Sequence, residues 1–491
     1  MKLNKYFFLV LFFVLTSVHS QAQNETDAVR YSQYSQIGTA RSLGMGGALG
    51  ALGADFSVMS TNPAGLAWFR KSVFEFTPGM TNVEVNSLLT NDAKNTTWRE
   101  TKNKFNFHNI GMVRTMYRPG TKVPTFNFGI GMNQLADFNR NFYFEGDSKG
   151  SIVNRFQELA NGSEGFDEFE SGVAFDAEAL FDNPQDGYYD SDFDGYPDAL
   201  TNKQQVVKTS GSIKELVVGM AANIEEKVMV GLTMGFPIVS FTEEKVYTEV
   251  DNGEGAVGNV PTFDDLEYTE YLNTIGGGIN LKMGVIYRLN QALRFGLAIH
   301  TPTLYQLTDN YNTTMTYNYT LSDTPSQGYA ASPDGNFSYS LRTPWRFIGS
   351  AAYIVGKKGL VSADLEYLNY SKAELIYDGY IAQERDANQL IAQNLKSALN
   401  IRVGGEVALD MFRLRGGLEF DQSPIEGDNT IKTAFSLGAG VRSRVVFVDI
   451  AYKNSVSKET YVPYRTYEAP VQKVDNNNVV GNIVLTLGFR F

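Results

Sequence analysis

The sequence predicts an all-β protein: a transmembrane antiparallel β-barrel of about 14 strands with an N-terminal hatch, or plug, in its lumen. Three observations predict it. The chain begins with an export signal, its remainder alternates between apolar and polar residues, and its connections are short and long in turn.

Lys2 and Lys5 form a basic n-region, Tyr6 to Leu15 are uninterruptedly apolar, and Ser20-Gln21-Ala22 supplies small residues for cleavage after Ala22. A membrane anchor needs roughly 20 apolar residues, so this run is too short to be one. Residues 1–22 are therefore assigned to a signal peptide, and the mature chain is expected to start near Gln23. No later stretch has the apolar length of a spanning helix; Leu43 to Ala54 is short and rich in glycine.

Composition removes several classes of function. The chain has no cysteine, which excludes disulfides, thiolate metal sites, a cysteine nucleophile and a lipid-anchored N-terminal cysteine. A net charge of −12 without a Lys/Arg cluster argues against a nucleic-acid partner. Beyond the signal peptide the only histidines are His108 and His300, far apart and outside any nucleophile motif, so no enzyme is expected. A hydrolase would require one of them within hydrogen-bond reach of a nucleophile in a loop-side cleft.

The strands follow from a period of two, with apolar residues facing lipid and polar ones facing the lumen. In the last segment Ile483, Leu485, Leu487, Phe489 and Phe491 share one face, and Asn482, Thr486, Gly488 and Arg490 share the other. Phe412, Leu414, Leu418 and Phe420 alternate in the same way with Arg413, Arg415, Gly417 and Glu419. Strands are expected near 72–85, 103–118, 122–145, 207–224, 226–249, 265–289, 292–315, 336–355, 359–378, 396–408, 412–421, 430–442, 445–458 and 477–491. Alternate connections are then tiny: Pro119-Gly120, Ile224 to Glu226, Leu289 to Gln291, Gly356 to Lys358, Asp410-Met411 and Ser443-Arg444. The others are long, the longest spanning 146–206. A soluble sandwich also alternates, but only a barrel with periplasmic turns and extracellular loops has reason to keep this asymmetry. The barrel is thus assigned to 72–491 in a Gram-negative outer membrane, with both chain termini on the periplasmic side.

Residues 23–71 then lie in the periplasm or fold up into the lumen as a hatch. Its Gly44, Gly46 and Gly47 do not form a phosphate loop, since no strand precedes them and position 49 is Leu. Close packing inside a barrel is the simpler use of such small residues. The run Arg41-Ser42-Leu43-Gly44-Met45-Gly46-Gly47-Ala48, then Asp55, then Asn62-Pro63-Ala64-Gly65 before the first strand resembles the FadL/TodX family of outer-membrane transporters. Leu293-Arg294-Phe295-Gly296-Leu297 followed by Thr301-Pro302, and the hairpin from Pro344 to Tyr367, extend the resemblance.

That resemblance implies a barrel closed by a hatch carrying Asn62 to Gly65. It also implies inward transport of fatty-acid-like or aromatic compounds, capture by extracellular loops, and a kinked third strand that opens a lateral exit. Gly129 and Gly131 are the candidate kink positions; alternatively they are small lumen residues that make room for the plug. The expected partners are outer-membrane lipid and hydrophobic small molecules. One feature departs from a greasy conduit: the lumen faces of the last strands carry Arg402, Glu406, Arg413, Arg415, Glu419, Asp449 and Arg490. The other reading is therefore a FadL-like subunit of a larger outer-membrane complex for secretion or barrel assembly, with other outer-membrane proteins as partners. Transport calls for an apolar cavity open toward the loops or the wall.

The longest loop adds Asp190, Asp192, Asp194 and Asp198 around Gly195. Carboxylates at positions 1, 3, 5 and 9 with Gly at 6 have the oxygen spacing of a calcium loop, although position 12 is Thr201 rather than Glu. Structural calcium is the sharper reading and a solvated acidic loop the plainer one.

Overall fold

The chain is represented by a computed structural model that describes residues 25–35, 38–162, 165–185, 187–196, 199–251, 260–467 and 469–491. The signal peptide lies outside these residues, as does Asp198.

Fourteen antiparallel strands close into a barrel. They are β1 (Val73–Leu89), β2 (Trp98–Tyr117), β3 (Thr125–Asp137, continued by Arg140–Lys149), β4 (Leu200–Ile224) and β5 (Val228–Asp251). Next come β6 (Phe263–Arg288), β7 (Leu293–His300 and Leu304–Leu321), β8 (Gly335–Arg342 and Arg346–Val355) and β9 (Gly359–Asn369). The last are β10 (Ser397–Leu409), β11 (Phe412–Gln422), β12 (Ile431–Arg442), β13 (Val446–Tyr461) and β14 (Val474–Arg490). Closure comes from β1 pairing with β14, from Val73 opposite Arg490 to Leu89 opposite Val474. The expected short connections lie at one end of the barrel and span two to four residues, except that between β2 and β3, which runs over 118–124; the long connections gather at the other end.

The alternation does what its period requires. Leu297, Leu437, Ile450 and Ile483 are exposed on the outer wall, while Asp449, Arg402, Glu366 and Thr486 are buried in the lumen. Arg413 and Arg490, expected in the lumen, instead sit at the turn end: Arg413 donates to the carbonyls of Asp410 and Phe412, and Arg490 to that of Ser443. Strands β3 and β4 run further into the loop side than expected, so the 146–206 connection contracts to 150–199. Two short helices, α1 (Glu25–Arg30) and α2 (Ala40–Gly44), precede the barrel. The 150–199 connection folds into α3 (Ile152–Ala160), α4 (Ser171–Asp176) and the short hairpin Phe181–Asp182 with Tyr189–Asp190. These elements pack with Phe142, Phe144, Tyr247, Phe263 and Tyr317 into an apolar cap over the loop end of the lumen. A helix not expected from the sequence, α5 (Ile381–Asn394), follows β9 and buries Ala387 and Ile391.

The hatch is a string of short capped turns. Thr39 caps Ala40–Gly44 by accepting from the Ser42 N–H, Asp55 caps Phe56–Ser60, and Asn62 caps Pro63–Trp68, where proline fits the first turn because its missing N–H has no helical partner. Before it, residues 25–35 lie in the lumen toward the loop end, where Asn394 of α5 donates to Glu25. The barrel strands thus begin and end on the turn side as expected, whereas the described chain starts inside, near the loops.

Because the outer face of β12 is apolar and the lumen face is not, substitutions on the two faces should differ. Leu437→Arg, at an outward position 59% exposed, should lower the unfolding free energy in bilayers by about 2–4 kcal/mol if it sits near the midplane. Reversible urea unfolding in lipid vesicles measures it.

Candidate functional site

The hatch sits on a ring of wall glycines. A Cβ on Gly231 would meet the Pro63 carbonyl at 2.3 Å, one on Gly284 the Asn62 Oδ1 at 1.9 Å, and one on Gly296 the Gly50 carbonyl at 2.4 Å. Across the lumen, Gly404 and Gly417 leave the same room for Met45 and Gly46. Gly129 and Gly131 belong to this set. A Cβ on Gly129 would strike Met59, and one on Gly131 would strike Phe56. The strand is regular at both, so they seat the plug and do not make the kink.

Polar contacts then lock the hatch. Asn62 Nδ2 donates to the Gly50 carbonyl (2.7 Å) while its Oδ1 accepts from the Ala64 N–H (3.2 Å). Arg41 donates to the carbonyls of Gly53 (2.8 Å) and Ala54 (3.1 Å) and reaches Glu406 at 3.4 Å. Both carbonyls belong to a left-handed turn, with φ of 81° at Gly53 and 55° at Ala54, which glycine adopts without the penalty a side chain adds. Glu406 also pairs with Arg415 (2.7 Å), and Arg415 with Asp449 (2.7 Å). A second chain of ion pairs runs Arg346–Glu366–Arg402–Glu419–Lys453. Apart from Arg413 and Arg490, the charges read from the last strands are therefore a paired, buried network, tied to the plug through Arg41. His300 Nε2 lies 2.6 Å from the Thr61 carbonyl, also on the plug. His108 is buried in the wall with no hydrogen-bond partner among the described residues. Among the described residues no hydrogen bond joins either histidine to a serine or threonine hydroxyl.

The wall itself opens between β2 and β3. Their ladder runs from Tyr117 opposite Thr125 to Asn109 opposite Asn133 and stops. Beyond it, among the described residues, β2 pairs only with β1, and β3 only with β4. Two irregularities turn β3 away: a bulge at Leu135 and an interruption at Phe138-Asn139. Past them the strand leans inward, where Arg140 pairs with Glu459 of β13 and the Phe142 ring stacks edge-on against Tyr461 at 5.0 Å. The upper part of β2 is left exposed on both faces. Side chains alone bridge the gap: Asn106 to Asp137, Lys102 to Asn141 (3.0 Å) and to the Thr209 carbonyl (2.7 Å). A cavity of about 390 Å³ occupies it, between Trp98 and Glu100 on β2 and Asn141, Tyr143, Val206 and Lys208 on the facing wall. Along the axis, by contrast, the space where Ser32 and Tyr34 meet the wall is only about 10 Å³, enough for about one water.

The N-terminal tail touches the bend from inside. The Ser35 N–H donates to the Leu135 carbonyl at 2.8 Å, and Tyr31 meets Phe138 edge-on at 6.2 Å. Sequence reasoning missed Leu135, Phe138 and Asn139, since nothing local marks them as the break.

Of the four carboxylates in the calcium spacing, Asp190, Asp192 and Asp194 lie among the described residues and Asp198 lies outside them. Asp190 accepts from Asn183 (2.7 Å), Asp192 from Tyr317 (2.7 Å) and Thr262, and Asp194 from Gln157 (2.9 and 3.0 Å). Among the described residues no three acidic or histidine groups form a metal-sized cluster. These bonds hold the loop to α3, to β7 and to Thr262 just ahead of β6.

A family model described as outer membrane protein transport protein (OMPP1/FadL/TodX) matches residues 195–491. Among solved structures, a FadL homologue of Pseudomonas aeruginosa aligns over 94% of this chain and 100% of its own, with a TM-score of 0.56 at 12% identity. The toluene transporter TodX of Pseudomonas putida aligns over 94% and 100%, with a TM-score of 0.51 at 11% identity. The toluene transporter TbuX of Ralstonia pickettii does so over 94% and 99%, at 0.50 and 15%. At these identities the likeness speaks for the fold. No functionally curated protein matches the chain.

Two outcomes follow from this geometry. Gly404→Val, whose Cβ would lie 2.2 Å from the Met45 carbonyl, should unseat the hatch and sensitise cells to large hydrophilic antibiotics, read as a lowered inhibitory concentration. Asp192→Ala should make the 150–199 loop more sensitive to protease, equally with and without added calcium, because it removes the acceptor of Tyr317 and Thr262.

Proposed function

This chain belongs to the outer membrane protein transport family (OMPP1/FadL/TodX), and on that premise we propose that it carries hydrophobic small molecules inward and releases them sideways through the β2–β3 gap. The observation that carries the reading is the broken ladder above Asn109 and Asn133. A path down the axis would have to pass the cap, the tail, the plug and two chains of buried ion pairs. Stripping those charges of their partners costs several kcal/mol each. The gap needs none of that: a molecule entering from the loops meets Trp98 and Tyr143 and leaves beside the apolar outer wall into lipid.

In this reading the loops face the outside, and the turn side, with Val73 and Arg490, faces the periplasm. The tail is the inner stop of the gap, since Ser35 and Tyr31 hold the bend from within. The substrate class, hydrocarbon or fatty-acid-like, is supported by the family and by the aromatic lining of the gap. Nothing in the arrangement favours a purely architectural role in a larger complex.

The absence of cysteine makes a clean test available. Asn106 and Asp137 touch across the gap, so the pair Asn106→Cys with Asp137→Cys should form a disulfide that pins β2 to β3. The oxidised protein should lose most of its uptake of toluene or an alkane in proteoliposomes, and reductant should restore it. Undiminished uptake with the bond fully formed would refute the lateral route.

A further inference from the structure

We propose that the foot of the β2–β3 hairpin, at the turn end of the barrel, binds the head of an anionic phospholipid resident in the leaflet around it. The proposal goes beyond the transport reading and takes from it only which leaflet that is, the periplasmic one.

The hairpin is basic without compensation of its own. From Asn109 to Asn133 the sequence holds Arg114, Arg118 and Lys122 and no acid. Lys71 stands beside them, because Thr115 Oγ1 donates to its carbonyl at 3.0 Å. Two acids approach from the β4–β5 turn. Glu226 pairs with Arg70 (2.9 Å) and Arg288 (3.7 Å). Glu225 meets the hairpin through its backbone, its N–H donating to the Lys122 carbonyl at 2.7 Å. Among the described residues Lys71, Arg114, Arg118 and Lys122 make no ion pair, and Glu225 is the one acid beside them that makes none.

The wall that carries these cations is apolar. Met112, Arg114 and Met116 share the outward face of β2 by their spacing of two. Phe128 lies opposite Arg114 across the ladder and Phe126 opposite Met116. All four apolar side chains are exposed on the outer wall. An arginine on a lipid-facing wall is costly at the bilayer midplane and tolerated near the interface. Arg114 stands three residues from the end of β2 at Tyr117, about 8 Å in depth, and a long side chain there bends its charge toward the head groups. The apolar wall continues to the tip, where Tyr117 and Val123 are exposed, so hydrocarbon reaches the turn and the head-group layer surrounds it. A phosphodiester fits this place. Its oxygens accept from Arg114 and Arg118, whose planar donors match phosphate, while its acyl chains cover Met112, Met116 and Phe128.

The frame is set before a lipid arrives. Thr121 Oγ1 lies 2.8 Å from the Arg118 carbonyl and 2.9 Å from that of Val123, and the Arg118 N–H donates to the Pro124 carbonyl at 2.8 Å. An acidic protein docked on the tip would meet Arg118 and Lys122 but not Arg114, which stands back among side chains that face hydrocarbon. A lipid is the partner that reaches all three.

The test uses the full-length protein in uncharged maltoside micelles and counts bound lipid by native mass spectrometry. The probes are phosphatidylglycerol and phosphatidylcholine with identical acyl chains. Phosphatidylglycerol should bind about fivefold or more tightly, the gain expected of one basic side chain at an anionic surface. Arg114→Gln alone should reduce that preference, and Arg114→Lys, which keeps the charge, should retain most of it. Arg114→Gln with Arg118→Gln and Lys122→Gln should erase it while the barrel keeps its compact, heat-modifiable migration. Lys94→Gln with Lys104→Gln and Lys208→Gln, the same loss of charge at the loop end, should leave it unchanged. Equal binding of the two lipids overturns the proposal and leaves the tip to an acidic protein. A preference that survives the hairpin replacements, or that the loop-end set removes as well, overturns it too. Binding in micelles involves no passage, so it can fail while the disulfide-pinned pair still blocks uptake, and the converse.

Discussion

Hydrocarbon offers no hydrogen-bond partners, so every backbone N–H and C=O at membrane depth must be paired within the protein. The ladder between β1 and β14 meets that requirement by leaving no free edge around the apolar belt. The same constraint dictates where the wall can open. The β2–β3 ladder is intact from the turn end to Asn109 and Asn133, and it breaks only beyond. There the freed edges are served by side chains: Lys102 takes the Thr209 carbonyl, and Asn95 bonds both the N–H and the carbonyl of Asp147 on the inward-leaning part of β3. An opening in such a wall is a rerouting of one strand with its hydrogen bonds re-housed.

Closure also creates an interior that must be filled. Side chains that point inward are polar because the outer face claims the apolar ones, and a polar interior must be satisfied. The protein does this by placing backbone where side chains would otherwise stand. Glycines at 231, 284, 296, 404 and 417 bring the hatch into contact with the wall, and the ion pairs from Glu406 to Asp449 and from Arg346 to Lys453 fill the rest. The charges that weigh against an axial path are the ones that permit a plug to be held tightly.

How much of this was legible in the sequence depended on range. Alternation and turn chemistry are local, so the outward rows through Leu437 or Ile483 and the tight turns were readable, and the capped string around Asn62 was recognisable as a motif. The break in β3 was not, because its cause is distant: Leu135 bulges where the tail's Ser35 meets it, and Phe138 turns where Tyr31 and Phe241 receive its ring. Gly129 and Gly131 drew attention as candidate kinks only because their real neighbours, Met59 and Phe56, lie some seventy residues earlier in the chain. The partners of the acidic loop were out of reach for a similar reason: Tyr317, Thr262 and Gln157 arrive from elsewhere to donate to its oxygens.

The course of the tail also bears on how the molecule is assembled. The described residues begin near α5, descend inside the wall, and reach Val73 to begin the strand that pairs with the last one. The joint between first and last strands is the final gate in the cylinder. A closed cylinder offers no side door at the level of the plug, so residues 25–71 must already be in place, or slip in from an end, when that joint seals. In the first case the early-synthesised segment is a mandrel around which the sheet curls, and the glycines on the inner wall are the clearance that lets the sheet wrap it without jamming.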